Sequence, residues 1–210
     1  MQRISKLLTP QIGVKVTKIR GRILIHYHSW KGFSGADCSI IRESLFYVFG
    51  LDSFSFVYKT EPNVDIISEL ALSTVAKEIS IIINGRKEVL PISFRVRVKR
   101  IEKTDTPKSD IEIKIADKIL TQHRELKVDL ISADLSFYCE MYKDFAFSFY
   151  GIEKGQKGLP IGTNPPVLSL LSGGFDSPVA SFKIMSRGVS VDFLSFHSYP
   201  FTPKASEEKV

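Results

Sequence analysis

A short loop between a mostly apolar run and a predicted helix constrains the fold of this chain most strongly. Residues 167–171 (VLSLL) are typical of a buried strand in a parallel sheet. The loop at residues 172–177 (SGGFDS) follows, and a helix is predicted next, with Ser177 as its N-cap and Pro178 at its first position. A second apolar run at residues 189–196 completes the pattern. This order predicts a βαβ unit with parallel strands.

The composition of the loop favours phosphate binding. The first turn of a helix leaves backbone N–H groups unpaired at the positive end of the helix dipole, and such a junction attracts anions. Gly173 and Gly174 let an anion approach the backbone without a Cβ in the way, and the hydroxyls of Ser172 and Ser177 can donate to phosphate oxygens. Asp176 has the wrong charge to contact an anion, so we predict that it organises the loop or Mg²⁺ and is not a general base.

Neither of the two commonest nucleotide loops fits this segment. No Lys follows the glycines, which excludes the GxxxxGK[ST] phosphate loop, and the spacing differs from GxGxxG. From the residues alone, an ordinary glycine-rich turn stays open as an alternative. The pattern SGGxDS resembles the loop of the PP-loop ATP pyrophosphatases, which split ATP between its α- and β-phosphates.

A wider resemblance covers most of the chain. Residues 158–163 (GLPIGT) and 167–202, which contain the loop, resemble the tRNA 4-thiouridine synthetase family (tRNA sulfurtransferase, ThiI-type). Residues 94–103 (FRVRVKRIEK) resemble the start of the core of that family's RNA-binding THUMP module, and residues 48–51 (VFGL) resemble the helix end before it.

The resemblance implies a fold of α+β ferredoxin-like and THUMP modules, followed by the start of an α/β PP-loop domain with a parallel sheet. It implies a partial ferredoxin-like domain at residues 1–37, a THUMP domain at 38–152 and a PP-loop part at 167–210. The Gly- and Pro-rich residues 153–166 are predicted as a linker. A chain truncated at both ends, and inactive as an isolated fragment, is also implied.

The same resemblance implies a reaction. Members of the family adenylate a uridine of tRNA (position 8) at its C4 oxygen, and a persulfide sulfur then displaces AMP to give 4-thiouridine; some members also supply sulfur for thiamine biosynthesis. The implied cofactors are ATP and Mg²⁺, and the implied partners are tRNA and a cysteine desulfurase as persulfide donor, in the cytoplasm, with a homodimer left open. The implied ATP-binding residues lie on the loop and at two strand tips: Leu170, Leu171, Ser172, Gly173, Gly174, Phe175, Asp176, Ser177, Ser195 and Phe196.

The densest basic stretch lies on one predicted strand, residues 92–101, where apolar side chains alternate with cations. Side chains two apart on a strand are ~6.6 Å apart, close to the phosphate spacing of a nucleic acid. Such a stripe favours salt-dependent RNA binding with little base readout. A solvated polar face is the alternative on the residues alone, and the THUMP resemblance favours RNA. The candidate RNA-binding residues are Arg95, Arg97, Lys99, Arg100 and Lys103.

Composition limits the remaining classes. The 29 Lys and Arg against 23 Asp and Glu give a net charge of +6, which is compatible with RNA binding but does not prove it. Cys38 and Cys139 are too few and too far apart for a disulfide scaffold or a CxxC metal site, and we predict that both are small buried residues. No apolar run approaches the ~18 residues of a membrane span.

Two other functions stay open: a PP-loop enzyme that adenylates a different acceptor, and an RNA-binding THUMP protein without catalysis. The periodicity also predicts helices and strands outside these motifs. They are a hairpin at residues 13–27 that turns at 20–22, helices at 38–49, 65–83 and 109–120, the last with Ser109 as N-cap and Glu112 in a capping box, and strands at 54–58, 126–132, 135–141 and 145–150.

Overall fold

The computed structural model describes residues 1–27, 32–85, 91–102, 106–198, 200–201 and 208–209. The chain forms two compact units, one comprising Ser55–Glu153 and the other comprising Met1–Phe54 together with Lys154–Val210. The predicted domain boundary at residues 37–38 falls inside a helix, since Gly35–Phe46 is continuous. The division along the chain lies instead near Phe54.

The first 54 residues fold as a helix, a hairpin and a second helix. The elements are α1 (Gln2–Ile12), β1 (Val14–Ile19), β2 (Arg22–Tyr27), α2 (Gly35–Phe46) and β3 (Ser53–Phe54). The sequence analysis missed α1, which buries Ile4 and Leu8. Gly13 ends this helix in the left-handed region, at φ 61°, and its N–H donates to the carbonyl of Thr9.

The predicted hairpin is confirmed. β1 and β2 pair antiparallel from Val14 opposite Tyr27 to Ile19 opposite Arg22. The two turn residues both have positive φ, 35° at Arg20 and 80° at Gly21. This backbone matches the twist of the flanking strands, which is why two-residue hairpins use such turns.

The unit Ser55–Glu153 is a five-stranded mixed sheet with two helices on one face. Its elements are β4 (Tyr58–Thr60), α3 (Val64–Asn84), β5 (Ile92–Arg100), α4 (Lys108–Gln122), β6 (Leu126–Val128), β7 (Leu135–Met141) and β8 (Ala146–Tyr150). The strand order is β4-β8-β7-β5-β6. β5 is parallel to β6 and to β7, whereas β8 is antiparallel to β7 and to β4.

The core of this unit lies between the sheet and the two helices. One alternating set of sheet residues, including Phe94 and Phe137, packs with apolar stripes of α3 and α4. Ile67 and Ile115, one from each helix, are fully buried. Burial of each such side chain contributes about 1.5–3 kcal/mol, so this core holds β5 firmly and turns its alternate residues to the other face.

The predicted cap of α4 is wrong. The helix begins at Lys108, with Pro107 at the N-cap and no side-chain cap. Ser109 lies inside the helix, and its hydroxyl donates to the carboxylate of Asp110 at 3.0 Å. Glu112 instead accepts the backbone N–H of Val98 at 2.8 Å and pairs with Lys108 at 3.3 Å. A contact with a strand has taken the place of the local capping contact.

The remainder of the other unit is a βαβ arrangement, as predicted. It contains β10 (Leu159–Leu170), α5 (Asp176–Met185) and β11 (Arg187–Leu194). The short strand β9 (Glu153–Lys154), at the division between the units, pairs with β3. β10 and β11 are parallel, with Leu170 opposite Leu194. Residues 153–166 are therefore not a plain linker, because β10 already begins at Leu159. Its pairing shifts register on both sides of Asn164, in a stretch whose prolines have no N–H to donate.

The expected burial of residues 167–171 is not observed. Leu168 is 63% exposed and Leu170 is 60% exposed. α5 packs against β10, and a hydroxyl pair at 2.8 Å between Ser169 and the buried Ser181 joins them. Among the described residues, no other strand pairs with these two. No helix in the described part of the chain is long and apolar enough to cross a membrane.

Candidate nucleotide and RNA sites

The loop at residues 172–177 joins the carboxyl end of β10 to α5, where the sequence places it. Its two serines close it: the N–H of Ser172 donates to Oγ of Ser177 at 3.0 Å, and the two hydroxyl oxygens are 3.1 Å apart. The prediction that Ser177 is the N-cap is wrong, because α5 begins at Asp176 with Phe175 at the N-cap. Ser177 is bonded back across the loop and keeps the loop narrow.

The first turn of α5 is open to a ligand. Within the described residues, no side chain caps this helix. Pro178 has no N–H, so the donors of the turn come from the residues just before it. An uncapped first turn concentrates partial positive charge at the carboxyl end of β10, and phosphate is a suitable partner for it.

The two loop glycines are not required by the protein's own packing. Neither Gly173 nor Gly174 has a positive φ. A Cβ on either would meet only a side-chain atom at 3.6 Å, an ordinary contact distance. By contrast, Gly158 and Gly188 have φ of 73° and 83°, and a Cβ there would overlap Ser186 and Thr163 respectively. The bare backbone at Gly173 and Gly174 therefore fits an approach from outside, as a phosphate makes.

The predicted strand tips lie beside the loop. The N–H of Leu171 donates to the carbonyl of Leu194 at 2.8 Å, which places Ser195 next to the start of the loop. Phe175 is 91% exposed and Phe196 is 79% exposed. The structure thus brings the predicted ATP-binding residues to one end of the two strands. Their individual roles stay predictions.

The loop itself contains one carboxylate, that of Asp176. Asp176, in the first turn of α5, is exposed. No group of three or more His, Cys, Asp or Glu that could hold a metal ion occurs among the described residues. Mg²⁺ commonly binds through one or two carboxylates, water and substrate phosphates, and the single Asp176 suits that mode.

The two cysteines lie in different elements, Cys38 in α2 and Cys139 in β7. Cys139 is 1% exposed in the sheet core, and burial raises the pKa of its thiol to about 11. Cys38 lies in α2 and is half-buried. The prediction of burial is confirmed for Cys139 and holds only in part for Cys38. A buried thiol with a raised pKa is a poor nucleophile, since the thiolate is the reactive form.

The basic stripe lies on the face of β5 opposite the helices. Phe94, Val96 and Val98 are buried, and the cations alternate with them as the sequence predicts. Lys99 is exposed on this face. Arg100 is two residues beyond Val98 and therefore belongs by strand alternation to the other face, where its Nη1 donates to the carbonyl of Thr106 at 2.9 Å, so the prediction that it joins the stripe is wrong. Lys103, the fifth candidate, lies outside the described residues.

Arg95 and Arg97 hold a loop that the sequence analysis did not anticipate. Residues 129–134, the crossover loop, connect β6 to β7 across β5, since Phe94 pairs with the last residue of β6 and the first residue of β7. Nη1 of Arg95 donates to the carbonyl of Ile131 at 3.0 Å, and Nη2 of Arg97 donates to the carbonyl of Leu130 at 2.6 Å. Nε of Arg95 also donates to Oγ of Ser136 at 2.8 Å. These bonds join residues over 30 positions apart, so local sequence carries no signal for them.

Comparison with known proteins agrees with both parts of this description. Residues 62–147 match the THUMP domain model, and residues 162–210 match the model of the thiamine biosynthesis protein ThiI. Two relatives named probable tRNA sulfurtransferase are 33% identical: one from Macrococcus caseolyticus, matched over 99% of this chain and 48% of its own length, and one from Brevibacillus brevis, over 100% and 49%. Over its whole length, this chain is related to the tRNA sulfurtransferases.

The chain spans about half the length of these tRNA sulfurtransferase relatives. A crystal structure of a 4-thiouridine synthetase–RNA complex with bound ATP matches at a TM-score of 0.80 and 25% identity, over 99% of this chain and 50% of that one. The protein PH1313 from Pyrococcus horikoshii shares the fold, with a TM-score of 0.82 and 24% identity over 100% of this chain and 64% of that one. The predicted fold class is confirmed, and the predicted resemblance to the tRNA sulfurtransferases agrees with these matches.

Proposed function

We propose that this chain carries the tRNA-binding and the first ATP-binding elements of a tRNA sulfurtransferase, which converts a uridine of tRNA to 4-thiouridine. The observation that carries the proposal is the SGGFDS loop at the end of a parallel strand, before an uncapped helix. It lies in the segment that matches ThiI, in the same chain as a THUMP match. The RNA complex with bound ATP supports both ligands.

The residues of the loop have a charge-stabilising role in this proposal. The backbone N–H groups of the uncapped turn hold phosphate oxygens, and Gly173 and Gly174 let them come close to the main chain. The Ser172–Ser177 contact keeps the loop in shape, and Asp176, in the first turn of α5, is the residue that would hold Mg²⁺. When bound, ATP with Mg²⁺ would supply an adenylyl group to the uridine C4 oxygen, with pyrophosphate leaving. Attack by the outer sulfur of a persulfide would then release AMP with that oxygen, and a second thiol would free the thiouridine by forming a disulfide with the inner sulfur of the donor.

Binding of RNA is assigned to the sheet face of the THUMP-matching unit. Lys99 is exposed on that face, and Arg100 follows it at the end of β5. Exposed cations give sequence-independent phosphate contacts, whose strength falls as salt rises. The Lys99→Ala change should weaken tRNA binding and reduce the slope of log K against log salt by about 1.

The test of the nucleotide site uses Gly173→Val with Gly32→Ala as the control. Both glycines have ordinary φ. A Cβ at Gly32 meets nothing within 4 Å and one at Gly173 meets only the flexible side chain of Lys209, at 3.6 Å, so both variants should fold. Equilibrium dialysis with labelled ATP and Mg²⁺ should show binding by the parent and the control, and loss of binding by Gly173→Val. Equal ATP binding by all three proteins would refute the assignment of the loop.

Two further measurements separate the other candidate functions. Asp176→Ala should lose ATP binding, while its tRNA affinity stays at the parent level; the same change in a full-length tRNA sulfurtransferase with this loop should abolish thiouridine formation. If the parent binds tRNA but not ATP, the chain is an RNA-binding protein with a vestigial loop. If ATP binds but tRNA does not cross-link to residues 95–102, a PP-loop enzyme with another acceptor is favoured.

A further inference from the structure

The crossover loop is fastened at both ends as well as by the two arginines. Oδ1 of Asp129 accepts the N–H groups of Ile131 and Ser132 at 2.8 and 3.0 Å. Ser93 and Asp134 are joined in both directions, since the N–H of Ser93 donates to Asp134 at 2.9 Å and the N–H of Asp134 donates to Oγ of Ser93 at 2.8 Å. The main chain of the loop therefore has one well-defined shape over β5.

The side chains at the tip of this loop are left in water. Ile131 is 90% exposed and Leu130 is 56% exposed, and the neighbouring Val128 is 49% exposed. The hydrogen bonds of the loop are made almost wholly by its main chain and by Asp129 and Asp134. Two arginine side chains are thus fixed by hydrogen bonds to a loop whose apolar side chains bury little of their own surface. Such an arrangement presents a surface rather than filling a core.

The charges around the loop balance. Arg95 and Arg97 contribute two positive charges, and Asp129 and Asp134 contribute two negative ones. Hydrogen bonds from Ser132 and Ile131, with a smaller contribution from the charge of Arg95, lower the pKa of Asp129, so its carboxylate stays ionised at neutral pH. A partner that meets the tip therefore meets apolar groups above these four balancing charges, with the exposed Lys127 on β6 and the exposed Lys99 farther along β5.

A cleft of about 310 Å³ lies beside the loop, within the same unit. Its lining includes Ala133 and Asp134 of the loop, Arg95 below it, and Tyr138 of β7. Sites for small organic groups start near this size, ~300 Å³. The tip offers apolar surface, and the cleft offers Tyr138 beside the charged Arg95, Asp134 and Glu78, so an uncharged group with polar edges, as the base and ribose of a nucleotide are, suits the two together.

We infer that the crossover loop is a preformed RNA-contact element, in which Leu130 and Ile131 pack against base or ribose and Arg95 and Arg97 are positioning residues that hold it. The inference rests on the proposed tRNA binding and changes the role of the two arginines from phosphate contacts to supports. It implies two kinds of contact with tRNA on one face of the sheet. Lys99 makes a contact whose strength depends on salt, and the loop makes a contact whose strength does not.

The first test compares Ile131→Ala with Ile113→Ala in binding of an unmodified tRNA transcript over a salt series. Ile113, on α4, is 58% exposed and is the matched control, because it loses the same atoms away from the loop. Loss of several apolar contacts should weaken binding by Ile131→Ala about tenfold. Its salt slope should equal that of the parent, and Ile113→Ala should bind as the parent does.

The second test isolates the shape of the loop. Asp129→Asn and Asp129→Ala remove the same charge, but only the asparagine keeps a side-chain oxygen that can accept from Ile131 and Ser132. The Asp129→Asn variant should therefore bind tRNA several-fold more tightly than the Asp129→Ala variant at every salt concentration. Circular dichroism melts of all variants check that the unit is folded in the binding assay.

The outcomes distinguish this inference from the proposal beneath it. Binding by Ile131→Ala at the parent level, with Lys99→Ala weakened, overturns the role of the loop and leaves tRNA binding in place. A reduced salt slope for Ile131→Ala also overturns it, because the loop would then act through charge. If the parent chain does not bind the transcript at all, the proposed function and the inference fail together.

Discussion

The link between α4 and the basic strand allows a quantitative prediction. Val98 is 2% exposed, and its N–H donates to Oε1 of Glu112 at 2.8 Å. β6 pairs with β5 only as far as Phe94, so no strand within the described residues reaches the N–H of Val98 on that side. Glu112→Ala leaves this buried donor without a partner, whereas Glu112→Gln keeps an acceptor oxygen at the same place.

An unsatisfied buried donor costs about 1–3 kcal/mol, so Glu112→Ala should lower the free energy of unfolding by about 2 kcal/mol. The exposed ion pair with Lys108 adds little, because such pairs contribute about 0–1 kcal/mol. Glu112→Gln loses that ion pair but keeps the acceptor oxygen, so its free energy of unfolding should be lower than that of the parent by less than about 1 kcal/mol.

Urea unfolding followed by circular dichroism measures both variants against the parent. The midpoint should fall clearly for Glu112→Ala and slightly for Glu112→Gln, with m unchanged. An equal loss of stability in the two variants would show that the effect comes from the ion pair or from the helix propensity of α4, and not from the hydrogen bond to the N–H of Val98. No loss in either would refute the assigned hydrogen bond.

Three other predictions concern the stability of each unit by itself. Ile115→Ala removes a fully buried side chain of α4 and should cost about 2–5 kcal/mol in urea unfolding, whereas Ile113→Ala, on the exposed side, should cost under about 1 kcal/mol. Because burial raises the pKa of Cys139 to about 11, the folded thiol keeps its proton while an unfolded one, with a pKa near 8.5, loses it. The unfolding free energy of the parent relative to Cys139→Ala should therefore fall as the pH rises from about 8.5 to 11, which a pH series of urea melts would show; a constant difference would contradict the raised pKa. Ser34→Ala removes the side chain that accepts the N–H of Asp37 at the start of α2 and should cost about 1 kcal/mol, while Ser39→Ala, at an exposed position in the same helix, should cost less.

Prediction from sequence succeeded where neighbouring residues decide the structure. The βαβ order around residues 172–177 depends on an apolar run, a loop and a helix in succession, and all three are present. The alternation along β5 is equally local, and Arg95, Arg97 and Lys99 do lie opposite the core. The THUMP and ThiI resemblances rested on the same segments.

Prediction failed where a distant group took over a local role. Glu112 contacts Val98 instead of closing a capping box, and Ser177 reaches back to Ser172 instead of capping α5. The helix α1 was missed although Ile4 and Leu8 have helical spacing, a signal that the sequence does contain. The start of β10 was hidden by prolines, which weaken a strand signal without preventing pairing.

The sequence by itself determined the kind of chemistry: a glycine loop before a helix for phosphate, and a strand with cations on one face. Both follow from the spacing of apolar residues along the sequence, which differs between helices and strands. Only the tertiary structure decided how those cations are used, because the register of β5 with β6 and β7 carries the crossover loop over Arg95 and Arg97. The two arginines thereby bind main-chain oxygens, and Lys99, beyond the reach of the loop, stays exposed to solvent.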